Sequence, residues 1–221
     1  MIWLVGDKGM LGKELALLFE KNGVLFTGTD RETDITSAES LKDFAQKLLS
    51  AKKGTEPENH WIINCAAYTA VDKAEDDAKT CRLINETGAE NLARCAEDTG
   101  ARLIHLSTDY VFSGKGIPDT FGVPRPYREE DPPDPICVYG RSKRNGETRV
   151  RERCGAAYII RTAWLYGKCG NNFVETMLKL MGERGELDVV NDQRGSPTWA
   201  FDLAGIIAAI INAAEKGTDM P

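Results

Sequence analysis

The chain has 221 residues, of which 42% are hydrophobic and 28% charged, and its formal net charge is -6. That length supports one sizeable core with room for a small appended lobe, and the composition excludes collagen-like, low-complexity and disulfide-scaffold chains. With an acidic balance and no long lysine or arginine run, a general nucleic-acid footprint is excluded, while helix termini remain free to bind anionic small molecules.

Ile2-Trp3-Leu4-Val5 is a short apolar run ending at glycine, the pattern of a strand buried on both faces of a parallel sheet. Leu11, Leu15, Leu18 and Phe19 recur at helical spacing and mark a helix over 10–21, closed by Asn22-Gly23. A strand follows over 24–29. Leu41, Phe44, Leu48 and Leu49 then mark a second helix, before a polar surface loop over 52–59 and a third strand over 61–65. A long helix over about 80–99 buries Leu83, Ile84, Ala89, Leu92, Ala93 and Ala96, and a fourth strand occupies 102–106. A proline-rich, acidic loop over 117–137 precedes a helix starting near Tyr139. A strand over 157–161, a helix over 173–181, a short strand over 187–190 and a helix over about 198–215 complete the order.

This alternation predicts an α/β fold, a doubly wound, Rossmann-like parallel sheet with helices on both faces and right-handed crossovers. Residues 1–165 read as the dinucleotide-binding domain. Residues 166–221 read as the start of a substrate-side lobe, plus a last helix that packs back on the sheet. Cys65, Cys81, Cys95, Cys137, Cys154 and Cys169 form no C-x-x-C pair and no metal-ligand spacing, so free thiols in a reducing compartment are expected. The opening apolar run shows no signal-peptide pattern, and the stretch 203–214 is too short to span a bilayer. A cytoplasmic protein with no membrane partner is the expectation.

Gly6, Gly9 and Gly12 lie between the first strand and the first helix, where missing Cβ atoms permit a tight turn and close approach of backbone to a pyrophosphate. Asp30 ends the second strand, where an acid accepts hydrogen bonds from an adenosine ribose. The adjacent Arg31 suits the extra phosphate of NADP, so NADH and NADPH both stay open. Asp34 and Ile35 either border the adenine or, for Asp34, only shape the turn.

The fourth strand leads into Ser107-Thr108-Asp109-Tyr110, at the carboxyl edge where open α/β sheets bind ligands. Tyr139-Gly140-Arg141-Ser142-Lys143 places a phenol and an ammonium four residues apart on one helix face. A lysine cation stabilises a phenolate, so the pair suits proton donation to a carbonyl. His60 and His105 sit in or beside strands with no ligand-like spacing and read as structural.

Gly6-x-x-Gly9-x-x-Gly12, Asn64-Cys65-Ala66-Ala67, Ser107-Thr108-Asp109-Tyr110-Val111-Phe112 and Tyr139-x-x-x-Lys143 together resemble the extended short-chain dehydrogenase/reductases. The strings Tyr68 to Glu75, Arg161 to Trp164, Gly170 to Phe173 and Asn191 to Thr198 resemble the dTDP-4-dehydrorhamnose reductase family within them, in order along nearly the whole chain. The resemblance implies NADPH- or NADH-dependent reduction of a nucleotide-sugar 4-ketone, with Tyr139 as proton donor, Lys143 on the nicotinamide ribose and Thr108 orienting the carbonyl. It also implies a cofactor lining of Gly6, Gly9, Met10, Leu11, Gly12, Asp30, Arg31, Asp34, Ile35, Ala66, Ala67, Tyr68 and Thr69, with Val71, Asp109 and Trp164 on the substrate side. Related dehydratases follow the threonine with Asp-Glu; here Asp109 is followed by Tyr110, which removes the base that elimination needs. An epimerase, which shares the tyrosine and cofactor, stays conceivable. Glu14 matches a magnesium-binding position of some relatives but Phe201 replaces another, so no metal is expected. Relatives continue past Pro221 to complete the substrate lobe, and they often form homodimers. The rival reading is a non-catalytic regulator like the β subunit of methionine adenosyltransferase, which resembles the same reductases.

Overall fold

Alternating side chains on buried strands build two cores, one on each face of a parallel sheet. In the computed structural model, which describes residues 1–50, 60–118 and 120–218, β1 (Ile2–Val5) is followed by α1 (Met10–Lys21), β2 (Phe26–Thr29) and α2 (Ala38–Ser50). Then come β3 (Trp61–Asn64), α3 (Lys73–Asp76), α4 (Ala78–Arg82), a π-helical turn (Leu83–Gly88), α5 (Ala89–Thr99) and β4 (Arg102–Thr108). A 3-10 turn (Asp109–Val111) leads to the hairpin β5 (Ile117–Pro118) and β6 (Pro124–Arg125), then α6 (Val138–Arg153), β7 (Ala157–Thr162), β8 (Leu165–Tyr166), α7 (Phe173–Glu183), β9 (Thr198–Trp199) and α8 (Ala200–Glu215).

The main sheet has the order β2-β1-β3-β4-β7, and every pairing in it is parallel. On one face Ile2, Leu4, Trp61 and Ile63 meet α1 through Leu11, Leu15 and Phe19, and α8 through Leu203 and Ile207. On the other, Trp3, Val5, Ile62 and Leu103 meet Leu41 of α2, Leu92 of α5 and Val150 of α6. Chain order reverses on either side of β1, and the crevice at such a switch point, outside the carboxyl ends of the strands, is where doubly wound sheets hold ligands. The register aligns those ends: Val5 lies opposite Thr29 and Asn64, Asn64 opposite His105, and Thr108 opposite Thr162.

Several expectations differ from the structure in detail. The helix expected over about 80–99 is α4, a π-helical turn and α5 in succession, because an inserted residue interrupts the i→i−4 ladder without changing the apolar pattern that was read. It ends at Gly100, whose φ of 67° is the left-handed cap that glycine adopts without strain. β4 runs two residues further than expected, to Thr108. Residues 187–190 form no strand and are largely exposed; the short parallel pair there is β8 with β9, since an apolar run without a neighbouring edge has nothing to bond. The loop expected over 52–59 lies outside the described residues.

Candidate active site

The glycines of the first turn are fixed by space. Gly6 has φ of 81°, and a Cβ on it would stand 2.7 Å from the Ala66 nitrogen; one on Gly12 would stand 2.1 Å from the Gly6 carbonyl oxygen. Gly9 is the N-cap residue of α1, and no side chain caps that terminus. Its first amides are therefore donors for an anion, aided by the helix dipole. Leu11 is buried in the core, so what it offers at the turn is its backbone, while Met10 lies beside Gly167 and Gly170.

The amides of Gly6 and Asp7 both donate to the Thr29 carbonyl, at 2.6 and 3.1 Å, and this fastens the turn to the end of β2. Asp30 follows there, with Arg31 exposed beside it. Glu32, which the sequence did not single out, accepts from the Asp30 amide at 2.9 Å and from Lys8 Nζ at 3.3 Å, linking the two halves of the turn. One Asp34 oxygen accepts from the Thr36 amide and hydroxyl, so of its two expected roles the structure shows the shaping of the turn before α2. The Ile35 side chain is core, and its carbonyl accepts from Asn91.

Beyond β3, Asn64 accepts from the Ala66 amide at 3.1 Å and its Nδ2 pairs with His105 Nδ1 at 3.0 Å. Burial, and then the Lys143 charge, push His105 well below the usual histidine range, so it is a neutral structural ring. Ala66, Ala67 and Tyr68 are half-buried and Thr69 is exposed. Tyr68 and Val71 pack against the cluster that contains Tyr139. The segment is held by a residue that sequence reading missed: Asn85, on the π-helical turn, accepts from the Tyr68 amide at 2.9 Å, donates to the Tyr68 carbonyl at 3.1 Å and to Ser142 Oγ at 2.9 Å. No apolar periodicity reports a buried asparagine; its only sequence signal is a polar residue on an otherwise buried helix face.

α6 presents Tyr139, Lys143 and Glu147 on one face, at successive i, i+4 spacings, toward the end of β4. A Cβ on Gly140 would lie 2.2 Å from the Tyr110 carbonyl oxygen, so glycine there lets the helix approach the strand end closely. Tyr139 is buried, with its ring edge-on to Tyr110 at 5.6 Å and its hydroxyl beside Thr108. Thr108 Oγ1 also lies 3.1 Å from Asp109 Oδ1 and accepts from the Tyr110 amide. Lys143, 2% exposed, donates from Nζ to the Leu106 carbonyl at 2.6 Å. Burial pushes its pKa down to about 8, against the opposing Glu147 charge. Burial pushes Tyr139 up to about 12, which the neighbouring Thr108 hydroxyl resists and Asp109 reinforces. The lowering of the phenol expected from Lys143 is not seen: desolvation sets the shift, and the Lys143 ammonium is engaged with the Leu106 carbonyl. Burial likewise raises Asp109.

Trp164 adopts φ of 45°, uncommon for a bulky residue and a strain that clusters at binding sites. It is partly exposed beside Gly195, and its carbonyl accepts from the Thr198 amide at 3.3 Å. Among the described residues no group of three or more His, Cys, Asp or Glu is placed to hold a metal ion, and no helix is long and apolar enough to cross a membrane. Glu14 is buried on α1 and Phe201 is half-exposed on α8.

A dinucleotide fits these residues. The turn is so tight that a Cβ on Gly6 or Gly12 would strike neighbouring backbone, and Asp7 Oδ1 in the turn, Tyr68 Oη beyond β3 and Thr162 Oγ1 at the end of β7 are buried without a hydrogen-bond partner. A parallel sheet with this turn at its switch point, and a threonine, tyrosine and lysine at its carboxyl edge, define a protein of the short-chain dehydrogenase/reductase class.

The comparisons narrow that class. The model of the RmlD substrate binding domain matches residues 1–220, and the chain belongs to that family, the family of the dTDP-4-dehydrorhamnose reductases. It is 42% identical over 219 residues to the dTDP-4-dehydrorhamnose reductase of Streptomyces griseus, covering 98% of this chain and 67% of that one. It is 40% identical to the Escherichia coli reductase of the same name, covering 99% and 69%. The Bacillus anthracis dTDP-4-dehydrorhamnose reductase, solved in complex with NADP, superposes with a TM-score of 0.85 at 39% identity, covering 96% of this chain and 70% of the other. The chain thus spans about two thirds of the length of these relatives. A UDP-glucose 4-epimerase from Brucella ovis shares the fold, with a TM-score of 0.76 at 18% identity.

Proposed function

We propose that this protein reduces the 4-keto group of dTDP-4-dehydro-L-rhamnose to give dTDP-L-rhamnose, using NADPH or NADH. The observation that carries the reading is the meeting of Thr108, Tyr139 and Lys143 at the sheet edge, beside the glycine turn. A nicotinamide dinucleotide, when bound, supplies the hydride that goes to C4. Gly6, Gly9, Gly12 and the first amides of α1 would hold its pyrophosphate, Asp30 and Arg31 its adenosine ribose, and the 66–69 segment its other half.

Tyr139 donates its proton to the keto oxygen as negative charge develops there. A phenol pushed up to about 12 arrives at the reaction protonated. Thr108 orients the carbonyl through its hydroxyl. Lys143 is buried one helical turn from Tyr139, so its cation favours the phenolate left after transfer. Val71, Asp109 and Trp164 flank the sugar. With Tyr110 rather than a glutamate after Asp109, no second carboxylate stands ready for elimination of water. Retention of all three reactive side chains, together with the names of the relatives, disfavours the regulatory-subunit reading. A cytoplasmic location and a homodimer belong to the same proposal; the six cysteines, all free, support the first.

The test is cofactor oxidation by the full-length protein with dTDP-4-dehydro-L-rhamnose, beside Tyr139→Phe. Loss of the proton donor is expected to lower kcat by about 10²–10⁴-fold with cofactor affinity retained. No substrate-dependent oxidation by the wild type, or unchanged turnover in the variant, would sink the proposal.

A further inference from the structure

Glu147 is fully buried, one helical turn beyond Lys143, yet it has no part in the chemistry described above. Its carboxylate accepts from Ser107 Oγ at 2.6 Å, from Arg161 Nε at 2.8 Å and from Arg161 Nη2 at 2.7 Å. Ser107 and Arg161 are register partners on β4 and β7, so one side chain of α6 bridges two neighbouring strands of the sheet. The α6 face meets three successive residues of β4: Tyr139 beside Thr108, Glu147 at Ser107 and Lys143 at the Leu106 carbonyl. Arg161 also lies 5.0 Å from the Phe112 ring centre and donates to the Glu129 carbonyl, so the same guanidinium reaches the loop just past the reactive threonine. Burial alone would raise the Glu147 pKa, but Arg161 and Ser107 hold it below the usual range, so the carboxylate is charged.

A buried ion pair is poor evidence for stability, because desolvation offsets attraction and apolar residues of similar size often serve as well. Its place directly below a reactive helix face points to another reason. We propose that Glu147 is a positioning residue for the reductase chemistry: clamped to Ser107 and Arg161, it sets α6 against β4 so that Tyr139 and Lys143 meet the Thr108 end of the strand. Its charge also raises the Lys143 pKa against the effect of burial. The inference rests on the reductase reading. The charged and titratable groups that face Lys143 are Glu147 on its own helix, Cys81 on α4, Cys65 beyond β3 and His105 on β4. Of these Glu147 is the fixed anion. Cys81 is buried and Cys65 half-buried, desolvation pushes the Cys65 thiol up to about 12, and His105 is neutral.

The test uses the full-length protein in two variants, Glu147→Gln and the pair Glu147→Met with Arg161→Met, the second removing both charges so that neither is orphaned. Three quantities are read: Tm, kcat and KM with the keto-sugar, and the Lys143 titration by NMR of Cε-labelled lysine. The double variant is expected to keep Tm within a few degrees and to lose kcat by about tenfold or more, the scale on which misplacement of a reactive group acts. KM should change by about twofold at most, and the Lys143 midpoint should move below its wild-type value in both variants. Unchanged kcat, or an unmoved Lys143 midpoint, in a folded variant would overturn the inference. Lysine titration does not need turnover, so an inactive wild type defeats the reductase reading while a midpoint that fails to move defeats the role of Glu147.

Discussion

Lys143 should be costly to the fold that carries it, and Lys143→Met measures the cost. In the unfolded chain the ammonium titrates near 10.5; in the structure burial lowers it to about 8. At about 1.36 kcal/mol per pKa unit, holding the cation in place costs about 3 kcal/mol wherever both states are protonated, that is below pH 8. Methionine keeps the apolar stem but gives up the bond to the Leu106 carbonyl, a loss of about 1.5–3 kcal/mol for a charged donor. Glu147 is not orphaned by the change, because Arg161 and Ser107 remain. The variant should therefore be at least as stable as wild type at pH 7, by up to about 1.5 kcal/mol, raising Tm by up to about 6 °C in a domain of this size, while turnover is lost. As pH climbs from 8 to 10.5 the folded wild type gives up its proton first, so its penalty fades and the variant's advantage shrinks to nothing or reverses. Urea unfolding of both proteins at pH 7 and pH 10 reads this difference, in which thiol and phenol ionisations common to both cancel. A variant less stable than wild type by the same margin at both pH values would refute the reasoning.

Gly12→Ala places a Cβ 2.1 Å from the Gly6 carbonyl oxygen, so the turn must open; calorimetric titration with NADPH should show affinity reduced at least tenfold, with the α/β circular dichroism spectrum retained. Asn85→Ala strips partners from both polar groups of the Tyr68 backbone and from Ser142, and should lower unfolding free energy by about 2–4 kcal/mol in denaturant titration, with weaker cofactor binding than Tyr139→Phe.

The doubly wound order was legible because buried parallel strands are short unbroken apolar runs, and Ile2–Val5 and Trp61–Asn64 are buried along their whole lengths. Gly6, Gly9, Gly12, Tyr139 and Lys143 were legible because each belongs to a local pattern with a physical meaning: closeness of backbone for the glycines, a shared helix face for the pair. Asn85 and Arg161 were not picked out as site residues. Asn85 acts across a π-helical turn that no periodicity reveals, and Arg161 reaches Glu147 through tertiary contact alone. The α6 stripe was half seen: the spacing that joined Tyr139 to Lys143 continues to Glu147, and only burial shows why it matters. The apolar run over 187–190 misled because hydrophobicity promises a strand only where an edge is free to receive it.

Transfer of deuterium from C4-deuterated NADPH is the most direct test of the central claim. With dTDP-4-dehydro-L-rhamnose, the full-length protein should yield dTDP-L-rhamnose carrying the label at C4 of the sugar, and Tyr139→Phe should bind the cofactor yet form almost none. Label that never reaches C4 in the wild type, with the cofactor bound, would contradict the account.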